Sequence, residues 1–85
     1  MKLEIVTPEK SIYSKEVAMV VLPGSEGDFG VLANHSPIVS DLREGEIAVY
    51  STADGQPTER FNITGGVVQV TPTECTVLAT SVQVA

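Results

Sequence analysis

Apolar and polar residues alternate with a period of two over most of this chain, the spacing of strands that bury one face. In Leu3–Thr7 the side chains of Leu3, Ile5 and Thr7 fall on one side. In Thr58–Thr64, Phe61 and Ile63 oppose Arg60 and Asn62. Glu16–Pro23 is a β-branched run in which Val17, Met19 and Val21 face one way and Ala18, Val20 and Leu22 the other. Both of its faces are apolar, so this strand is expected to be covered on both sides. Further strands are predicted over Pro37–Leu42, Glu46–Thr52, Val67–Thr71 and Cys75–Val84. Turn signals separate them: Pro8–Ser11, Arg43–Glu46, the Asp54-Gly55 pair, Gly65-Gly66 and Pro72-Thr73. No window repeats apolar residues at helical spacing between caps. About seven or eight short strands with closely spaced turns predict an all-β sandwich or barrel with little or no helix.

Composition narrows the reading. Eighty-five residues make one domain, 1–85, with no room for a second core. Aromatic residues are only Tyr13, Phe29, Tyr50 and Phe61, so Val, Ile and Leu must build the core. The net charge of −6 disfavours nucleic acid, which requires clustered Lys and Arg, and disfavours direct binding to anionic lipid. Residues 1–10 include acids and no apolar core of a signal peptide, and no run has the length of a membrane span. Cys75 is the only cysteine, which excludes an internal disulfide and favours a reducing compartment.

Candidate chemistry is sparse. His35 is the only histidine; Ser36 adjoins it, but neighbours in an extended segment point apart, so a hydrolytic pair is not expected. One His and one Cys do not supply a zinc site. Cys75 begins a strand and reads as a buried structural thiol. The stretch LPGSEGDFGVLANHSP, Leu22–Pro37, is the densest in special residues. Its Gly24, Gly27 and Gly30 lack the Gly-Lys-Ser/Thr of a phosphate loop, and Glu26 and Asp28 would repel phosphate. They read instead as loop-shaping residues with access to positive φ, displaying Ser25, Glu26 and Asp28 at a projecting tip suited to contact. Gly65 and Gly66 predict either a bulge with close backbone approach or a plain hairpin turn.

The run LPGSEGDFGVLANHSP, followed by LREG, NITGGVVQV and TVLA in that order, resembles the N-terminal domain of the ε subunit of the rotary F-type ATP synthase, from Leu3 to Ala79. The family usually has Pro-Gly where this chain has Ala33-Asn34; Asn best tolerates the left-handed region among non-glycine residues, so the turn is expected to survive. Glu44-Gly45 keeps the glycine of another Pro-Gly, and Val67 replaces a frequent aromatic.

The resemblance implies a two-sheet β-sandwich of about ten strands. It implies a non-catalytic rotor subunit without cofactor or metal, peripheral on the cytoplasmic face of a bacterial inner membrane or its organelle equivalent. Such a subunit links the γ subunit to the membrane c ring and couples rotation to ATP synthesis, meeting the membrane only through the ring. It carries c-ring contacts over to Ser25, Glu26, Gly27 and Asp28, and γ or ring contacts to Asn34, His35 and Ser36. Family members usually continue into a two-helix hairpin; a chain ending at Ala85 is expected to lack hairpin-based inhibition and a hairpin nucleotide site. The residues alone also fit a generic β-sandwich protein-binding module. A lipoyl-type carrier fits poorly, because Lys2, Lys10 and Lys15 lack the expected Asp-Lys-Ala setting.

Overall fold

Period-two patterning with turns at short intervals resolves into strands throughout. The computed structural model describes residues 1–52 and 54–85; Ala53, beside the predicted Asp54-Gly55 turn, lies outside the described residues. The described strands are β1 (Lys2–Val6), β2 (Ser11–Glu16), β3 (Met19–Gly24), β4 (Gly27–Leu32), β5 (Ile38–Leu42), β6 (Gly45–Tyr50), β7 (Glu59–Ile63), β8 (Gly66–Val70), β9 (Glu74–Ala79) and β10 (Val82–Val84), and no described residue is helical.

Two five-stranded layers form the sandwich. One runs β4-β3-β6-β7-β10 and the other β5-β8-β9-β1-β2, and they join at a corner where Gly24 of β3 pairs Leu42 of β5. Pairing is antiparallel except between β1 and β9, which run parallel from Lys2↔Glu74 to Val6↔Leu78. The core takes every second residue from each layer: Leu3, Ile5, Val68, Val70 and Val77 from one, Val20, Leu22, Ile47, Val49, Phe61 and Ile63 from the other. Cys75 is among these, fully buried, and burial pushes its thiol up to about 11. Far from the thiolate range at neutral pH, it behaves as a small apolar side chain.

Four predictions need correction. The segment Ser11–Glu16 is a strand, although SIYSKE has no apolar alternation, because it is an edge that pairs β1 alone and buries chiefly Tyr13. The run Cys75–Val84 is two strands: the chain breaks at Thr80-Ser81, leaves one layer after β9 and joins the other as β10. In β3, Val20 and Leu22 are sealed while Met19 and Val21 are half-buried, so one face is covered and the other only partly. Gly24 and Gly30 lie in strands and do not take positive φ; of the glycines in Leu22–Pro37, Gly27 does, with φ 133°.

Gly65-Gly66 takes the close-approach alternative. It carries the chain from β7 in one layer to β8 in the other, so it is not a hairpin turn. The Gly65 carbonyl accepts a hydrogen bond from Thr80 N (3.0 Å), tying this crossing to the β9–β10 crossing. A Cβ on Gly66 would press into the Leu78 carbonyl oxygen and lie 3.0 Å from Ala79 Cα.

The seam between the outer strand β2 and β7 is closed by an edge-to-face pair, Tyr13 on Phe61, with ring centroids 5.3 Å apart. Lys15 lies 4.0 Å from Glu59 across the same seam and 5.6 Å from the Tyr13 ring centroid. Burial of Tyr13, reinforced by nearby Glu59, raises its pKa to about 12. The folded state therefore holds the phenolic proton more tightly than the unfolded chain, whose tyrosine titrates near 10. This contribution is complete below about pH 10 and is lost as pH climbs towards 12. The urea midpoint of the wild type is thus expected to fall more steeply than that of Tyr13→Phe between pH 9.5 and about 11.5, as read by circular dichroism. Parallel curves would show that the seam does not sense this proton.

Candidate functional site

The stretch rich in glycine and acids folds as a hairpin rather than a coiled loop. β3 and β4 pair from Met19↔Leu32 to Gly24↔Gly27, leaving Ser25 and Glu26 as the connection. Favoured two-residue hairpin turns need positive φ at their central residues. Ser25 and Glu26 do not take it, and Gly27, the next residue, does. Gly24 serves differently: a Cβ there would meet the Gly27 carbonyl oxygen at 2.6 Å and the Phe29 ring at 2.8 Å. Gly30 meets nothing closer than 3.9 Å, so it has no comparable steric demand.

The tip is braced against the end of β5. Ser25 N donates to Asp41 O (3.1 Å) and Arg43 N to Pro23 O (2.9 Å). Arg43 Nη2 donates to Asp28 Oδ1 and Nη1 to Glu44 O (3.2 Å). Gly45 makes room for Pro23, whose Cβ would lie 2.8 Å from a side chain there. Ser25, Glu26, Gly27 and Asp28 are all exposed, and with Phe29 and Ser40 they line an open hollow of about 330 Å³.

The second group of candidate residues lies elsewhere. Asn34, His35 and Ser36 follow β4 at its other end, and a six-residue strand is roughly 20 Å long. In a body of 28 × 24 × 24 Å, the tip and this turn are therefore at opposite ends. Asn34 adopts φ 67°, as its left-handed tolerance suggested, and its N–H bonds Pro72 O (2.8 Å). His35 Nδ1 lies 2.7 Å from Ser36 O, a local contact that occupies one ring nitrogen. Among the described residues, no group of three or more His, Cys, Asp or Glu is placed to hold a metal ion, and no helix is long and apolar enough to cross a membrane.

One surface was not singled out from the sequence. On the outward side of the β5-β8-β9-β1-β2 layer, Val6 pairs Leu78 and Leu78 pairs Val67, forming an apolar row across three strands. Leu78 is 57% exposed, and Val39, on the same face of β5, is 71% exposed. Pro8, Val6, Val67 and Leu78 line an open groove of about 460 Å³. The outward side of a solvated antiparallel sheet is normally polar. The sequence signal was the adjacent apolar pairs Ile5-Val6, Val67-Val68 and Val77-Leu78, in which both faces of a strand are apolar at once.

The whole chain, residues 1–85, matches the family described as ATP synthase, Delta/Epsilon chain, beta-sandwich domain. It is 48% identical to the ATP synthase epsilon chain of Granulibacter bethesdensis over 77 residues, covering 91% of this chain and 56% of that one. It is 48% identical to that of Caulobacter vibrioides over 79 residues, covering 93% and 88%. The chain thus spans little more than half of the first relative and most of the second. In fold it is similar to a chain of the Euglena gracilis mitochondrial ATP synthase structure of OSCP, F1 and c-ring, with a TM-score of 0.85 at 24% identity, covering 96% of this chain and 51% of that one. It is also similar to a chain of the Tetrahymena thermophila mitochondrial ATP synthase central stalk and c-ring, with a TM-score of 0.79 at 16% identity, covering 96% and 64%. With the β-sandwich, the hairpin and the family motif all in place, this chain belongs to the ATP synthase delta/epsilon-chain β-sandwich family.

Proposed function

We propose that this chain is a non-catalytic rotor subunit in the central stalk of a proton-translocating F-type ATP synthase, holding γ on one side and the membrane c ring at one end. The observation that carries the reading is the apolar outward row Val6, Leu78 and Val67 with the groove beside it, on a domain of this family. A lasting interface buries apolar surface of this kind, often more than ~2,000 Å² in total. The hairpin supplies the second contact: Ser25 and Glu26 stand at a stiff, acidic end whose complementarity would set register on the ring's polar loops. Asn34, His35 and Ser36, at the far end of β4, then belong with γ rather than with the ring contact. Two packed sheets give the stiffness that a coupling element needs. The subunit would work on the cytoplasmic face of a bacterial inner membrane or the equivalent organelle face, touching lipid only through its partners.

Co-purification tests this reading. A tagged copy of the chain, expressed with the γ and c subunits of the same genome, is expected to recover both from solubilised membranes. Recovery of neither would overturn the assignment and leave a β-sandwich that docks on some other protein.

A further inference from the structure

We propose that Arg43 is a positioning residue for the docking hairpin: it clamps Asp28, fixes the direction of the tip and leaves Glu26 as the acid offered to a partner's cation. The inference rests on the reading that the tip is a docking end, and it goes further by dividing the work among the tip's charges.

Arg43 holds both strands of the hairpin at once. Its backbone N–H bonds Pro23 of β3, and its guanidinium bonds Asp28 of β4 and the Glu44 carbonyl. Gly45 has no side chain to intrude where Pro23 and the Arg43 guanidinium approach it. A planar guanidinium with fixed donors can hold such a bridge; an ammonium at the same place is a point charge without the fork. The acids around the tip are Glu26, Asp28, Asp41 and Glu44, and Arg43 is the cation ion-paired among them. Asp28 is matched by Arg43, whereas Glu26 is exposed on the turn itself and enters no ion pair among the described residues. Both side chains of the clamp are about half exposed or more, so the pair adds little to global stability and its effect is on orientation.

The experiment uses the whole 85-residue chain and a purified rotor of γ with its c ring from the same genome. Backbone order parameters for Gly24–Asp28 are expected near ~0.85 in the wild type and below ~0.6 in Arg43→Gln, with the melting temperature hardly changed. Arg43→Lys should restore order only in part, and the exchange Arg43→Asp with Asp28→Arg should restore it nearly fully. Rotor affinity is expected to fall about fivefold in Arg43→Gln, following the order parameters, and at least about tenfold in Glu26→Lys with the tip still ordered. Unchanged order in Arg43→Gln would overturn the clamp. Lost order with wild-type affinity would show that the clamp does not act on docking. A Glu26→Lys chain that binds the rotor as the wild type does would overturn the role given to Glu26 and the docking reading of the tip, while leaving the clamp in place.

Discussion

Replacing Gly66 with alanine is expected to remove a large share of the domain's stability. The added methyl would enter the Leu78 carbonyl oxygen and crowd Ala79 Cα, both backbone atoms of the paired strand β9, which no rotamer change can relieve. The residue also sits at φ 155°, where an L side chain is strained. Together these cost about 3 kcal/mol or more, against a total stability of about 4–13 kcal/mol for a domain of this length. A drop in melting temperature of roughly 15 °C or complete loss of the cooperative transition is the expected reading by circular dichroism. Gly65→Ala provides the comparison. Its backbone is as strained, with φ 150°, but its Cβ would meet nothing nearer than the Leu42 carbonyl oxygen at 3.7 Å, so about 1–2 kcal/mol is expected. If the two variants melted together, the close approach of β8 to β9 would not be what fixes glycine at 66.

The second large effect concerns docking. Leu78→Asp is expected to fold normally, because Leu78 points outward and is more than half exposed, yet to lose the binding to γ proposed above. Truncating a residue at the centre of an interface commonly costs ~2 kcal/mol or more, and an unpaired carboxylate buried there costs further. The affinity for purified γ should therefore fall at least about 30-fold, measured by surface immobilisation with the melting temperature as a control. Val84→Asp offers a matched variant: it is 79% exposed, but on β10 of the other layer, and should bind γ as the wild type does. Equal loss in both variants would assign the effect to charge in general, and no loss in Leu78→Asp would move the γ contact to another face.

The parts of this fold that could be read in advance are those with a sealed inner face and a wet outer one. Leu3 and Ile5 in β1, and Phe61 and Ile63 in β7, alternate because each strand has neighbours on both edges and a core beneath. The strands that escaped notice are edges. β2 and β4 each pair with a single strand, so their residues answer to solvent more than to the core, and Ser, Lys, Gly and Asp fill them. The left-handed turn at Asn34 was legible because only a few residue types tolerate that region. The apolar outward face was not, since adjacent valines signal burial without saying whether another layer of the same chain provides it. The Asp28–Arg43 bridge was likewise hidden: its partners are fifteen positions apart, joined only through the corner between the layers.

The parallel ladder between β1 and β9 sets the order in which a nascent chain can mature. β1 can form its hairpin with β2 early, but its other edge waits for β9, the ninth strand in chain order. Until then its amides and carbonyls on that side are open, a template for unwanted pairing. Closing so long a loop through non-local contacts is slow, in the millisecond-to-second range typical of all-β domains. A chain stalled before Glu74 would leave β1 and β8 each lacking a neighbour, so the sandwich completes itself in one late step rather than strand by strand.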